Sequence, residues 1–415
     1  MIRLSTLLLA IPWLASIAQG GELPKVDPAE VGLSASKLAE LRLALKKLAD
    51  DGKIAGGVAV VVRHGKVAFV DAFGQRDRAT EAPMREDAIF AIASMTKPIT
   101  CVAAMTLIER GKLGLDDPVA KYLPALAGVG VLGDPKDDKP DGPSTVPLAR
   151  PILVRHLFSH TSGFAYGGIL SADLRLGKAY EKAGVQDRNL KDLAEQVTRL
   201  ATVPLAHQPG ERWTYGLSHD VLGRVIEVAS GKPLDQYLKE TIFDPLDMVD
   251  TSFSVAPAKR DRVATIYRTG LLGGPLIPLA RFYGSETFFS GGGGLFSTAR
   301  DYARFGQMLA GGGTLEGVKI LKADSLAQMT TNQIGENNAL GLFKYGLGFG
   351  LEMGPPLDGG KPELATYFWA GFFSTNFWVD PKKDLVAVIL TQVLPTNHGN
   401  AQRVLRQGID RAIEK

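Results

Sequence analysis

The feature that most constrains this chain is a pair of hairpin patterns, one near each end of the 415-residue sequence. The first, residues 56–74, contains two runs rich in β-branched residues around a His-Gly-Lys turn at 64–66. The second places residues 375–380 and 385–391 on either side of a turn at 381–384. Such runs joined by short turns predict hairpins, whose strands pair antiparallel. A doubly wound parallel sheet is therefore a poor fit.

Between the hairpins, apolar residues recur at helical spacing instead. Helices are predicted for 34–50, 97–112, 189–201, 218–230, 234–241 and 298–311, with a last one from about residue 400. Ser34 is placed to cap the first, and Thr298 with Asp301 forms a capping-box pattern. The Pro- and Gly-rich loop 127–150 is expected on the surface.

These elements predict an α/β protein of the α+β type. One antiparallel sheet, built from both ends of the chain and flanked by helices, would carry a mostly helical inserted domain. We assign residues 19–93 and 285–415 to the sheet domain and residues 94–284 to the helical domain.

The first 18 residues have the features of a signal peptide: Arg3, an apolar stretch at 4–14, and small residues at Ser16 and Ala18. The alternatives are a buried first helix or a membrane anchor, but the stretch is short and Pro12 interrupts it. We expect a periplasmic or secreted protein with no membrane span after signal removal. A net charge of +3 gives no electrostatic case for binding nucleic acid.

The single cysteine, Cys101, excludes an intramolecular disulfide. It lies among Ile99, Val102 and Ala103, which predicts a small buried core residue rather than a reactive thiol. A zinc site would need histidine and carboxylate ligands instead. We expect neither a metal nor a cofactor, and the oligomeric state stays open.

The main candidate for chemistry is Ser94 with Lys97. Positions i and i+3 of a helix share a face, so the hydroxyl and the amine can meet. Serine becomes a nucleophile when a base takes its proton, and lysine can do so when burial lowers its pKa towards neutrality. Pro98 is tolerated in a first helical turn, which predicts a helix beginning at Ser94 and a serine N–H free to bind an oxyanion.

The same Ser-x-x-Lys pattern occurs at Ser34 and Lys37, so the motif alone is weak. That copy lies on the charged leading edge of an amphipathic helix, which predicts a capping serine and a solvated lysine. The apolar residues 89–93 instead predict that Ser94 lies inside the protein.

Two further segments could complete a site. Tyr215 lies in a loop before the helix at 218–230, and a phenol near a lysine can exchange protons. A single tyrosine is more commonly an amphipathic residue at a domain edge. Residues 368–373, Phe-Trp-Ala-Gly-Phe-Phe, predict either an edge strand whose glycine lets the backbone approach a ligand, or a buried strand.

In this order and spacing, Ser94-x-x-Lys97, Tyr215 and Trp369-x-Gly371 resemble the serine β-lactamase and penicillin-binding-protein superfamily, specifically its class C branch. The resemblance covers about residues 28–412. Further landmarks of that group are residues 157–163 (LFSHTSG), 243–248 (FDPLDM) and 293–301 (GGLFSTARD). The resemblance implies a β-lactamase/transpeptidase-like fold.

It also implies a role for each matching residue. Ser94 would be the nucleophile that forms an acyl-enzyme, and Lys97 its base. Tyr215 would assist deprotonation and protonate the leaving alcohol. The N–H groups of Ser94 and Phe372 would form the oxyanion hole.

Two departures from the class C pattern bear on the substrate. Where those enzymes have Tyr-x-Asn, this chain has Leu217 at the third position, and where they have Lys-Thr-Gly it has Trp369 in place of the lysine. Tryptophan there resembles the family VIII carboxylesterases and related acyltransferases. With Gly371, Trp369 would shape the wall of a more apolar cleft suited to neutral esters.

Other chemistry fits the sequence less well. The histidines available for a Ser-His-Asp triad are His156, His160, His207 and His219. No Gly-x-Ser-x-Gly elbow occurs, and His160 is expected to make a structural hydrogen bond. The glycine run 291–294 lacks the lysine of a phosphate loop and is expected to let the chain turn beside the cleft.

Three functions remain open at this stage. The first is a carboxylesterase for small acyl esters, favoured by Leu217 and Trp369. The second is an amide or peptidoglycan hydrolase, including a weak β-lactamase, favoured by the shared residues and the predicted export. The third is a non-catalytic sensor that stays acylated on Ser94. The partner in each case is a small-molecule ester or amide, whose acyl chain, leaving group and acceptor stay undetermined.

Overall fold

The computed structural model describes residues 21–140, 142–168, 173–270, 273–355, 362–396 and 398–414. Its largest feature is an eight-stranded sheet. The strands are β1 (Gly56–Arg63), β2 (Lys66–Asp77), β3 (Ala82–Pro83), β4 (Lys344–Tyr345), β5 (Gly350–Gly354), β6 (Glu363–Ala370), β7 (Asn376–Asp380) and β8 (Leu385–Thr391). They lie in the order β4-β5-β6-β7-β8-β1-β2-β3 and pair antiparallel throughout. The predicted fold class is confirmed.

The centre of the sheet joins the two ends of the chain. β1 pairs with β8, with Val60 opposite Val388. Both predicted hairpins are present, as β1–β2 and as β7–β8. At the first turn His64 and Gly65 have φ of 51° and 73°. Positive φ at both central residues gives the tight two-residue turn whose twist matches the flanking strands.

The strand that precedes Gly371 is not at an edge of the sheet. β6 pairs with β5 on one side and with β7 on the other. Of the two alternatives for this segment, the edge strand is excluded, because the short strands β4 and β5 extend the sheet beyond it.

The helices are α1 (Ala35–Asp50), α2 (Thr96–Glu109), α3 (Val154–Phe158), α4 (Leu174–Ala183), α5 (Leu193–Leu200), α6 (Ser218–Ser230), α7 (Leu234–Leu238), α8 (Ala299–Ala310), α9 (Ala323–Met329) and α10 (Ala401–Ala412). The sequence did not predict α3, α4 or α9. The helix predicted for 189–201 starts later than expected because Asp192 caps α5. A π-type turn, Lys239–Phe243, extends α7.

The predicted capping box at α8 is only half formed. Thr298 Oγ1 accepts a hydrogen bond from Asp301 N at 3.1 Å, as expected for an N-cap. The Asp301 carboxylate instead accepts from Asp250 N and the Thr251 hydroxyl. Its pKa is raised to about 6 because burial disfavours the charged form. This carboxylate therefore joins two segments rather than closing a cap.

Helices cover both faces of the sheet, and the alternation of β1 explains how. Val58, Val60 and Val62 belong to the core shared with α8 and α2. Ala59 and Val61 belong to a second core shared with α1 and α10. Successive strand residues face opposite sides, so one strand of β-branched residues serves both layers.

Small paired segments lie outside this sheet. Phe90–Ala91 pairs with Phe296–Ser297. Tyr267–Gly270, Gly273–Pro278 and Val393–Leu394 form a three-stranded sheet. Thr314–Leu315 pairs with Val318–Lys319. Within the loop predicted for 127–150, which is mostly exposed, Val131–Leu132 pairs with Thr145–Val146.

The predicted signal peptide, residues 1–18, lies outside the described residues. Among the helices that the structure does describe, none combines the length and the apolar character needed to cross a bilayer. The domain boundaries at 93/94 and 284/285 stay predictions. Cys101 is buried, as expected.

Candidate active site

Ser94 lies in a short 3₁₀ turn, Ala93–Met95, that leads directly into α2. The strand pair of Phe90–Ala91 with Phe296–Ser297 fixes the chain just before this turn. Ala93 has φ of 44°, in the left-handed region that disfavours residues with a side chain. The backbone around Ser94 is therefore strongly constrained, as expected where a side chain must be held in one position.

The start of the helix differs slightly from the prediction. The α-helix begins at Thr96 rather than at Ser94, and Pro98 lies in its first turn as expected. Among the described residues, Ser94 N donates to no protein acceptor. It lies at the amino-terminal end of α2, where free N–H groups favour negative charge.

Lys97 is completely buried and meets Ser94 as predicted. Its Nζ donates to Ser94 Oγ at 3.1 Å, to Tyr166 Oη at 3.1 Å and to the carbonyl oxygen of Gly292 at 2.6 Å. Three donors on an ammonium thus meet three acceptors. The carbonyl can only accept, so one N–H is committed to it in any protonation state.

The condition under which a lysine can take the proton of a serine, a pKa lowered towards neutrality by burial, is not met at Lys97. Burial does lower this pKa, but the neighbouring Tyr166, Tyr215 and Asp220 outweigh it and raise the pKa above its ordinary value. The negative charge of the Asp220 carboxylate favours the ammonium form. The sequence made burial and Tyr215 visible as influences, but not Tyr166 or Asp220.

Tyr215 lies beside Lys97, as its place in the motif order predicts. Lys97 Nζ is 4.8 Å from the centre of the Tyr215 ring. The ring stacks on Trp213, with an interplanar angle of 9°, and tilts against Trp369 at 5.7 Å between centroids. These neighbours orient the phenol towards the lysine.

A second tyrosine, Tyr166, was missed. Its hydroxyl accepts from Lys97, and its ring meets that of Tyr215 edge-on at 5.4 Å. Burial raises the pKa of its phenol, so it stays protonated at neutral pH. The signal available was its position three residues after the landmark 157–163, which had no chemical role attached.

The segment after β6 comes close to Ser94 through its glycine. A Cβ on Gly371 would stand 2.3 Å from the carbonyl oxygen of Ile92, so only glycine fits there. Thr375 Oγ1 donates to the same carbonyl at 3.2 Å. Phe372, next along the chain, is 49% exposed, and its N–H donates to no acceptor in the described parts of the chain. This N–H therefore follows directly on a glycine that packs against Ile92, two residues before Ser94.

A cavity of about 240 Å³ opens beside Ser94. It is lined by Ala93, Ser94, Tyr166, Gln186, Asp187, Leu190, Gln196, Leu217, Asp220, Phe288, Ser290, Gly292 and Gly293. Leu217 lines it where the class C pattern has an amide. Leu190, Leu217 and Phe288 give the cavity the apolar lining that was expected, whereas Gln186 and Asp187 add polar groups to it.

The histidines do not form a triad with Ser94. His156 Nδ1 accepts from Leu153 N at 3.1 Å, and burial lowers its pKa to about 4. His207 contacts Thr214 Oγ1 at 2.9 Å. In the described ranges, no group of three or more His, Cys, Asp or Glu side chains is arranged to hold a metal ion.

The structural hydrogen bond expected for His160 is absent, and that expectation is wrong. Both ring nitrogens of His160, and both of His219, are buried without a hydrogen-bond partner among the described residues. The two rings lie 4.3 Å apart, and His160 also contacts the rings of Trp213, Tyr215 and Tyr345. Because the neighbours are aromatic rings, the described residues offer no hydrogen-bond donor or acceptor to the ring nitrogens of His160 and His219.

This fold and this site define a serine hydrolase of the β-lactamase and transpeptidase type. The family described as Beta-lactamase matches residues 41–408, and the chain belongs to that family.

Several relatives are esterases by name. Esterase EstB of Burkholderia gladioli is 32% identical over 397 residues, which is 88% of this chain and 93% of that protein. Lovastatin esterase of Penicillium rubens is 30% identical over 390 residues, 86% of this chain and 94% of that protein. Among solved structures, EstCE1, described as a hydrolase with promiscuous acyltransferase activity, has a TM-score of 0.73 at 26% identity and covers 90% of this chain and 98% of its own.

Proposed function

We propose that this protein is a carboxylesterase that hydrolyses small acyl esters through an acyl-enzyme on Ser94. The observation that carries the proposal is the bond from buried Lys97 Nζ to Ser94 Oγ, set between Tyr166 and Tyr215. Ester hydrolysis, rather than β-lactam hydrolysis, is supported by Leu217 and Trp369, because the leucine side chain has no hydrogen-bonding group and the indole has no positive charge. The relatives named as esterases agree with this assignment.

The raised pKa of Lys97 favours its ammonium form, so the roles implied by the resemblance are redistributed in our proposal. Tyr215, acting as a phenolate, takes the proton of Ser94 at Oη, and Ser94 Oγ attacks the ester carbonyl carbon. The Lys97 ammonium stabilises the negative charge on Oγ during this transfer. As the bond from the carbonyl carbon to the alcohol oxygen breaks, Tyr215 returns its proton to the leaving alcohol. Water then repeats the sequence, with its proton passing through Tyr215 to Ser94.

The carbonyl oxygen becomes negatively charged in each tetrahedral intermediate. The N–H groups of Ser94 and Phe372, both without protein acceptors in the described residues, are the donors we assign to it. The end of α2 adds its positive dipole. Donors held in place by the Gly371 contact need no rearrangement when charge develops, and one such donor contributes roughly 10²–10³-fold in rate.

The test is turnover of short-chain p-nitrophenyl esters by Ser94→Ala. We expect loss of hydrolysis, with retained turnover contradicting the proposal. The matched control is Ser34→Ala, which removes the serine of the second Ser-x-x-Lys pattern. Ser34 caps α1 at the surface, so this control should keep full turnover while losing about 1 kcal/mol of stability.

The other two functions are separated on the same preparation. A chromogenic cephalosporin turned over faster than the esters would favour an amide hydrolase or β-lactamase. A persistent adduct on Ser94 by mass spectrometry, without turnover, would favour a sensor.

We also propose that the protein is exported, because residues 1–18 have the features of a cleavable signal. Amino-terminal sequencing of the protein purified from its natural host should begin near Gln19. An intact Met1 would contradict export by this route.

A further inference from the structure

A glycine turn opposite the catalytic helix supplies the carbonyl that holds Lys97. Ser290 begins this turn, and its carbonyl oxygen accepts from Gly293 N at 3.3 Å and Gly294 N at 2.9 Å. The carbonyl of Gly292 accepts the shortest bond that Lys97 makes, at 2.6 Å. The sequence predicted a turn beside the cleft but gave no sign of this backbone acceptor.

The peptide joining Gly291 to Gly292 is held at both ends. Its carbonyl accepts from Thr100 Oγ1 at 2.8 Å, and Thr100 lies one turn after Lys97 on α2. Its N–H donates to Asp220 Oδ1 at 3.1 Å. The position of the next carbonyl, that of Gly292, therefore depends on Asp220 as well as on α2.

Asp220 is itself fixed. It is 2% exposed, lies in the first turn of α6, and accepts from Ser290 Oγ at 2.5 Å on the same oxygen. A Cβ on Gly292 would stand 2.5 Å from its Oδ2, and one on Gly291 would stand 2.5 Å from the carbonyl of His219. Glycine is thus required for the turn to approach α6 this closely.

A buried carboxylate is costly unless it is bonded to several groups. Here the bonds of Asp220 are to the glycine turn rather than to a cation. It makes no ion pair with any residue that the structure describes, although Lys97 is close enough for their charges to interact. Asp220 is therefore connected to Lys97 Nζ by two hydrogen bonds, one from the N–H of Gly292 and one from Lys97 to the carbonyl of Gly292.

We propose that Asp220 is a positioning residue for the reaction: through Ser290 and the Gly292 backbone it places the carbonyl that orients Lys97 towards Ser94. This inference rests on the proposed function, because it assigns the orientation of Lys97 a catalytic effect. The charge of Asp220 also interacts with that of Lys97. The titratable groups around Lys97 are Tyr166, Tyr215, Asp220, Cys101, His160 and His219.

The test compares Asp220→Ala with Asp220→Asn. The amide keeps an acceptor for Ser290 and Gly292, whereas alanine keeps none. We expect Asp220→Ala to lower kcat about 100-fold with KM little changed, and Asp220→Asn to recover most of that loss. Loss of the negative charge in Asp220→Asn lowers the pKa of Lys97, so the alkaline limit of activity moves to lower pH. The control is Asp324→Ala, an exposed aspartate in the first turn of α9.

Two measurements keep the outcomes distinct. The rate of labelling of Ser94 by a fluorophosphonate gives the reactivity of the serine per folded site, independent of the ester chosen. Wild type that neither labels nor turns over esters would defeat the proposed function itself. Labelling by Asp220→Ala within about 3-fold of an active wild type would overturn the positioning role alone.

A purely structural role is also distinguishable. It predicts that Asp220→Asn and Asp220→Ala lower the melting temperature but leave kcat per labelled site unchanged. If Asp220→Ala does not fold, Ser290→Ala decides, because it removes one of the two bonds to Asp220. We expect a 3–10-fold lower kcat, and an unchanged kcat would overturn the proposal.

Discussion

The two sides of Ser94 differ in whether their buried polar groups are hydrogen-bonded. On the lysine side, Lys97 and Asp220 have hydrogen-bond partners at 2.5–3.1 Å. On the tyrosine side, the nitrogens of His160, His219 and Trp213 are buried without partners among the described residues. One side is an ordered network of bonds and the other is a packed group of rings. Hydrogen bonds hold the charged groups of the lysine side in place, whereas ring contacts hold Tyr215 on the tyrosine side.

This difference sets expectations for mutation. Removing a member of a complete network leaves its partners unsatisfied and costs the full desolvation of each. Removing a polar atom that has no partner loses no bond, so an apolar side chain of similar size is tolerated there. The lysine side should therefore be sensitive to single atoms, and the tyrosine side to volume.

Lys97→Met has the largest expected effect. Methionine fills a similar volume but leaves the carbonyl of Gly292 without its donor and Ser94 without its ammonium. We expect kcat/KM on a short ester to fall at least about 10³-fold. Lys37→Met, in the exposed copy of the motif, is the control and should be silent. Activity of Lys97→Met within 10-fold of wild type would show that the lysine side is not sensitive to the loss of its hydrogen bonds, which contradicts the expected difference between the two sides.

Tyr166→Phe removes one atom from the lysine side and keeps the ring. A hydrogen bond to a charged group is lost, so we expect kcat to fall roughly 10- to 50-fold. The comparison is Tyr122→Phe, which removes a hydroxyl bonded to Asp117 far from the site. Equal activity of the two variants would show that the hydrogen bond from Lys97 to Tyr166 is dispensable. Tyr166 would then not belong to the functional network.

His219→Leu has the smallest expected effect and tests the tyrosine side. We expect the free energy of unfolding at pH 8 to change by no more than about 1 kcal/mol, measured by urea denaturation. A loss above about 2 kcal/mol would mean that the His219 nitrogens make hydrogen bonds in solution. The two sides of Ser94 would then not differ in their hydrogen bonding.

The same variant has a pH signature. Burial holds the pKa of His219 well below its ordinary value of 6.5, so the folded protein keeps it neutral while the unfolded chain binds a proton below that pH. Wild-type stability must then decrease as pH falls below about 6.5, by at most about 1.4 kcal/mol per pH unit for each such histidine. His219→Leu lacks this loss and should gain on wild type between pH 7 and pH 5. Parallel stability curves would show that the histidine titrates normally.

The predictable part of the site was the part that is local in sequence. Ser94 and Lys97 meet because three residues of a helical turn bring them together, and the hairpins followed from valine runs with short turns. Tyr215 and the Trp369–Gly371 segment were found through their order along the chain.

What escaped prediction involves distant or backbone groups. Tyr166 meets Lys97 across 69 residues, and the Gly292 carbonyl meets it across 195. A carbonyl has no residue type, so no motif could indicate it. The direction in which the Lys97 pKa shifts depends on the sum of burial and three neighbouring groups, and the sequence indicated burial and Tyr215 but neither Tyr166 nor Asp220.

The pairing of β1 with β8 has a consequence for the making of the protein. Val60 cannot meet Val388 until the ribosome has translated most of the chain, so the middle of the sheet forms last during synthesis. Contacts this remote in sequence slow folding and leave the edge of β1 that faces β8 unpaired while the rest is made. A chaperone that binds the emerging chain therefore meets Ser94 and Lys97 before the strands on either side of Phe372, β6 and β7, have been made.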